Sequence, residues 1–274
     1  MEKRIVFLIT IVGLFVLMVC LPKNFSQKET TFFVIETGEG SKDISSNLQK
    51  EGIIWWNHLF RAYVLVRGTS NKIQAGTYRI SPSMSIFTIA EKFASGDVAK
   101  ATVTIPEGFT SQQIHQKLEG IVESDPAVLA EWEGFLFPDT YEIPYGMRLE
   151  KVIEMMRDNF WKKNEGLATT HQVVVMASIL EKELRTQEDK EIASGILWKR
   201  IMVGMPLQVD AYMWTYQNTG LPEKPISNPG LDSIKAALNP KESLYWYYLS
   251  KPDGTTIFSK TLEEHNIARA KYLK

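Results

Sequence analysis

Val173–Glu183 reads VVVMASILEKE, an apolar run that stops abruptly at two carboxylates. Val173 to Leu180 carries no charge, and Ser178 supplies its only hydroxyl. A run of this kind is buried on most sides, so a carboxylate at its end lies where core meets surface. Burial there raises a carboxyl pKa, which is what a general acid working near neutrality requires. An ordinary buried helix ending in solvated charge fits the same residues.

Around this stretch, the 274-residue chain is 44% hydrophobic and 23% charged, enough for one or two cores. A formal net charge of −1 provides no field that would favour nucleic acid. Cys20 is the only cysteine, so no disulfide can form within the chain. Ile5–Leu21 is free of charge and follows Lys3 and Arg4. As a helix it would reach about 26 Å, close to a bilayer core. It therefore predicts a single-span anchor at residues 1–22, N-terminus in the cytoplasm and the remainder outside. A cleavable leader fits less well, because Met18–Pro22 lacks small residues.

Residues 23–30 read as a linker. Beyond them, Thr31–Glu36 and Gly76–Ile80 read as strands. Helices are expected from Ser41 to about Gly52 and from Trp56 to Val66, giving a β-α-α-β module. Ser85 opens a helix carrying Ile86, Ile89, Ala90 and Phe93. After a strand at Ala101–Ile105, Thr110 with Gln113 forms a capping box. The texture changes near residue 125. From there, helices are expected at 149–163, 170–184 and 189–203, a hairpin around Pro252–Gly254, and a closing helix capped by Thr261 and Glu264. The fold class expected is α+β: small modules over 31–125, then a larger α+β domain over 126–274.

His58, His115, His171 and His265 lie far apart and form no HExxH, so no metal is expected. No P-loop, GxGxxG or GxSxG occurs, and no cofactor is expected. Carboxylate chemistry remains, with Glu133, Asp139, Glu142, Glu181, Glu183, Asp210 and Asp232 as the available acids.

Five segments, taken in order, resemble the membrane-anchored endolytic murein transglycosylases. They are EGFLFPDTYE (133–142), ASILEKE (177–183), KRIMVGMPLQVD (199–210), GLPEKPISNPGLDSIKAALNP (220–240) and FSKTLEEHN (258–266). AGTYRI (75–80) and IPEGFT (105–110) fit the family's N-terminal half, which resembles a lysin-motif module. Two departures stand out: Ala211 occupies a position where the family usually has proline, and the loop at 212–219 is short.

The resemblance implies cleavage of the bond between N-acetylmuramic acid and N-acetylglucosamine, leaving 1,6-anhydro ends. It names Glu181 as the acid. Glu183, two residues on, is expected to tune or position Glu181 or to bind sugar hydroxyls. Tyr141, Glu142, Gln208, Asp210 and Asn228 are further candidates for binding substrate in the cleft, and for each of these five a structural role fits equally well. The partners it implies are peptidoglycan glycan strands, the cytoplasmic membrane and peptidoglycan synthases. A transglycosylase needs no second carboxylate, because the substrate supplies its own nucleophile. A muramidase-type hydrolase using Asp210 and a non-catalytic peptidoglycan-binding scaffold remain open.

Overall fold

Alternation in Thr31–Ile35 buries Phe33 and Ile35 and turns Phe32 and Val34 outward, which makes this segment strand β1. The computed structural model describes residues 21–24 and 29–273. Helices α1 (Ser41–Lys50) and α2 (Asn57–Val66) follow β1, and the chain returns as β2 (Gly76–Ile80). β1 and β2 pair antiparallel with Phe33 opposite Tyr78. Helix α3 (Ile86–Ser95) is capped by the Ser85 hydroxyl and ends on Gly96 in the left-handed region. Its Phe93 ring contacts Phe33, Phe60 and Tyr78 at centroid distances of 5.7, 6.1 and 4.6 Å. One aromatic side chain of α3 thus meets both strands and α2.

Strand β3 (Lys100–Thr104) leads to α4 (Ser111–Leu118), which carries the expected capping box of Thr110 and Gln113. A short helix α5 (Pro126–Ala130) precedes β4 (Thr140–Pro144), and β3 and β4 form a two-stranded sheet. Helices α6 (Leu149–Lys163), α7 (His171–Glu183) and α8 (Gln187–Met202) come next. One turn, α9 (Trp214–Gln217), and helix α10 (Leu231–Leu238) lead to the hairpin β5 (Tyr247–Ser250) and β6 (Thr256–Ser259), and α11 (Leu262–Tyr272) closes the chain.

The chain forms two compact units. The first comprises residues up to Ala101 together with Glu142–Gly146, and its core includes Ile44, Leu48, Phe60, Val64 and Phe93. The second comprises Thr102–Tyr141 and Met147–Lys274, and α7 runs through its middle. Every residue from Val173 to Leu180 is buried, as expected for a helix that is apolar on all faces. α7 packs against α8 and α10.

The expectation of an anchored fold class is corrected here. Among the described residues no helix is long and apolar enough to cross a membrane. The longest, α8, has 16 residues, whereas a span takes about 20, mostly apolar. The run at 5–21 on which the expected span rested lies, apart from Leu21, outside the described residues. The described architecture is α+β, in two units. The strand expected at 244–249 is shorter, Tyr247–Ser250, and Leu244 is exposed.

Candidate active site

α7 brings its carboxylates to the interior edge of the second unit. The Thr170 hydroxyl accepts the Val173 N–H and fixes the start of the helix, so the register of its last turn follows. Residues two apart on a helix point about 200° away from each other. Glu181 and Glu183 therefore meet different surroundings.

Glu181 faces α8 and the start of α10. Its Oε1 lies 3.3 Å from Lys190 Nζ, and its Oε2 accepts the Gly230 N–H at 3.0 Å and the Ser233 hydroxyl at 2.7 Å. The Glu181 and Lys190 side chains are 8% and 6% exposed. A carboxylate at a helix N-terminus, paired with a buried ammonium, has both oxygens in use. Glu107 sits alongside, and burial, followed by the nearby Glu181 charge, raises its pKa. Gly230 allows this closeness: a Cβ there would stand 1.8 Å from Glu107 Oε1.

Asn228 is fully buried beside this cluster. Its Oδ1 accepts the Gly134 and Leu136 N–H groups, both at 2.9 Å. Its Nδ2 donates to Phe109 O at 3.0 Å and to Glu133 Oε1 at 2.7 Å. The amide thus fastens the loop at 105–110 and the loop at 133–137 to the loop at 225–230, and its donors and acceptor are all engaged. Glu133 also accepts from Ser111, by N–H and hydroxyl. Burial nevertheless raises its pKa, against the opposing pull of those hydrogen bonds. Gly134 has φ +90°, and a Cβ on it would fall 2.4 Å from Pro225 Cγ, so the loop accepts only glycine there.

Glu183 opens instead onto a polar cavity of about 440 Å³. Gln208, Asp210, Tyr216, Tyr248 and His265 line it as well. The Ala211 N–H donates to Glu183 Oε1 at 2.7 Å. Burial is the dominant influence and raises the Glu183 pKa; Asp210 adds to the rise, and the backbone N–H groups of Ala211 and Asp210 oppose it. The Tyr216 hydroxyl donates to Asp210 Oδ1, and burial with that bond pushes the phenol up to about 12.

The Tyr248 hydroxyl and His265 Nδ1 are buried without a partner. Burial also pushes the Tyr248 phenol well above its usual range, with Glu183 reinforcing the rise. It lowers the His265 pKa, helped by Arg200 and Arg269, which keeps the ring neutral. The Glu183 carboxyl therefore keeps its proton to higher pH than an ordinary glutamate, and the phenols and imidazole around it supply further donors and acceptors.

The arrangement separates the residues that the sequence grouped together. Gln208 and Asp210 share the Glu183 cavity. Glu181 and Asn228 are absorbed into the supporting network, because their polar atoms already have partners inside the protein. The Tyr141 hydroxyl is buried, donates to Phe137 O at 2.5 Å and accepts from Asn159 at 3.1 Å, and burial raises its pKa to about 12. Glu142 belongs to the first unit, exposed on β4, 4.0 Å from Lys100. The sequence reading missed Tyr216, Tyr248 and His265, and also Lys190, Ser233 and Glu107. Ser233, His265 and Glu107 fall inside segments that carried the resemblance, but nothing local marked them.

The model of the YceG-like family matches residues 33–271. An endolytic murein transglycosylase of Bacillus subtilis (strain 168) is 29% identical, over 92% of this chain and 87% of that protein. An endolytic murein transglycosylase of Streptococcus pneumoniae serotype 2 (strain D39 / NCTC 7466) is 24% identical, over 90% of this chain and 59% of its own length. The crystal structure of a yceG-like protein from Listeria monocytogenes is similar at a TM-score of 0.51 and 29% identity, covering 88% of this chain and 99% of that one.

Proposed function

This chain belongs to the YceG-like family, and on that premise we propose that it is an endolytic murein transglycosylase whose general acid is Glu183. Relatives that carry this activity in their names support the reaction class. The burial of Glu183 at a polar cavity carries the residue assignment. The resemblance on sequence pointed to Glu181, but both oxygens of that carboxylate are occupied by Lys190, Gly230 and Ser233. Substrate would have to compete with those three contacts to reach Glu181.

In the proposed reaction, protonated Glu183 gives its proton to the oxygen linking muramic acid C1 to the next sugar, and the C1–O bond breaks. The C6 hydroxyl oxygen of the same muramyl ring bonds to C1, and Glu183 takes up the hydroxyl proton. Glu183 ends protonated and no water is consumed. The intramolecular hydroxyl acts at high effective concentration, which replaces a water-activating base. Asp210 remains an acceptor for Tyr216 in the same cavity. Murein lies outside the cytoplasmic membrane, so the action is extracytoplasmic. Ending nascent strands beside the peptidoglycan synthases is part of the same proposal and rests on the resemblance.

One observation favours a second reading. Asp210 lines the same cavity as Glu183, as the second carboxylate of a muramidase-type hydrolase would. Mass spectrometry of products from uncrosslinked glycan strands separates the two. Products ending in 1,6-anhydro-muramic acid, lost in Glu183→Gln and retained in Glu181→Gln, are expected. Reducing ends would establish the hydrolase, and loss of product only in Glu181→Gln would return the acid to Glu181.

A further inference from the structure

Beyond α8, the polypeptide turns through a short loop that projects aromatic rings. The Thr215 hydroxyl pins this loop from inside: it accepts the Val209 N–H at 3.0 Å and reaches Tyr212 O at 2.8 Å and Val209 O at 3.2 Å. Gln208 takes a left-handed φ of 52° and donates its N–H to Thr215 O. So constrained, the loop holds Tyr212 and Trp214 side by side, ring centroids 6.2 Å apart and planes 25° from parallel. Tyr212 is 40% exposed. The two rings, with Ala211, Pro222, Lys224 and Ile226, line a cavity of about 500 Å³.

Ala211 stands between this cavity and Glu183. The Ala211 N–H bonds Glu183, and Ala211 also lines the aromatic cavity. Lys224 and Pro225 in turn line a further cavity of about 260 Å³, which holds Trp161 and the Trp132 ring under Arg157 at 3.6 Å.

We propose that Tyr212 and Trp214, with Lys224, form a distal sugar-binding subsite that holds N-acetylated sugars of the same glycan strand beyond the pair being cleaved. Pyranose rings have apolar C–H faces and a polar rim, which suits a rigid ledge of aromatic rings with polar groups at its border. The exposed ammonium of Lys224 complements the carboxylates that muramyl units and their peptide stems carry. Because Thr215 pre-orders the loop, binding does not have to order it. A site of this extent favours cleavage within strands over cleavage at short ends.

The inference rests on the reading of Glu183 as the acid beside it, and calorimetric binding separates the two. Full-length Glu183→Gln protein is titrated with N-acetylglucosamine oligomers of two, four and six units. Affinity is expected to rise with length. Adding Trp214→Ala should cut the gain between two and six units by about tenfold, and Trp214→Phe should restore most of it. A length dependence untouched by Trp214→Ala overturns the subsite alone. Absence of binding by any oligomer overturns the subsite, and the 1,6-anhydro product assay tests the glycan-cleaving reading separately.

Discussion

Glu181 and Glu183 are two residues apart on α7, yet one is locked into an ion pair with Lys190 and the other borders a cavity with Asp210. Helix geometry alone separates their directions by about 200°. What packs on each side then gives the two carboxylates different surroundings.

For Glu181, replacement by glutamine leaves the buried Lys190 ammonium without its counter-charge. Breaking a buried pair from one side costs about 3 kcal/mol or more. Urea denaturation of Glu181→Gln is expected to show that loss, and Glu181→Gln combined with Lys190→Met should recover part of it. Wild-type stability in the single variant would contradict the paired role.

For Glu183 the sign reverses. Burial raises its folded pKa above the unfolded value, so the stability it contributes is complete below the unfolded carboxyl pKa and is lost as pH rises through the folded one. Glutamine imitates the protonated form and cannot lose a proton. Glu183→Gln should therefore be inactive but more stable than the wild type at pH 7, with the gap closing as pH falls below the unfolded carboxyl value. Thermal melts across that range test it, and a destabilised variant at pH 7 would count against it.

Ala211 offers a handle on the proposed acid. Its N–H stabilises the ionised form of Glu183, so Ala211→Pro, which has no N–H, should raise the Glu183 pKa further. The limb of kcat/KM that falls with rising pH should move to higher pH in this variant. An unmoved limb would mean that Glu183 does not set it.

Asn228→Ala removes a fully engaged amide and leaves the buried Gly134 and Leu136 N–H groups without their acceptor. At about 1–3 kcal/mol for each unsatisfied group, a loss of roughly 3 kcal/mol in urea denaturation is expected. A loss below about 1 kcal/mol would show that the three loops are held by other contacts.

Several elements were legible because their signals are local. The helix expected at 149–163 is α6 to the residue, and the Thr110–Gln113 box stands as read. The β-α-α-β order of the first unit follows from alternating burial and glycine stops. α9 was not read, because a four-residue turn has no period to detect. The region with acids at 181, 183 and 210 was also visible, but the roles within it were not. Lys190, Ser233 and Tyr248, which decide those roles, lie up to 65 residues along the chain from the nearer glutamate.

The sequence by itself determined that an apolar helix ends in two carboxylates and which segments surround it, since helix period, caps and turns are properties of neighbouring residues. Only the tertiary structure decided that Glu181 pairs with Lys190 and the start of α10 while Glu183, half-buried, borders a polar cavity. The physical reason is that a carboxyl's protonation and freedom to react depend on the dielectric and the partners around it. Those are brought together by packing across long chain separations, which no local pattern encodes.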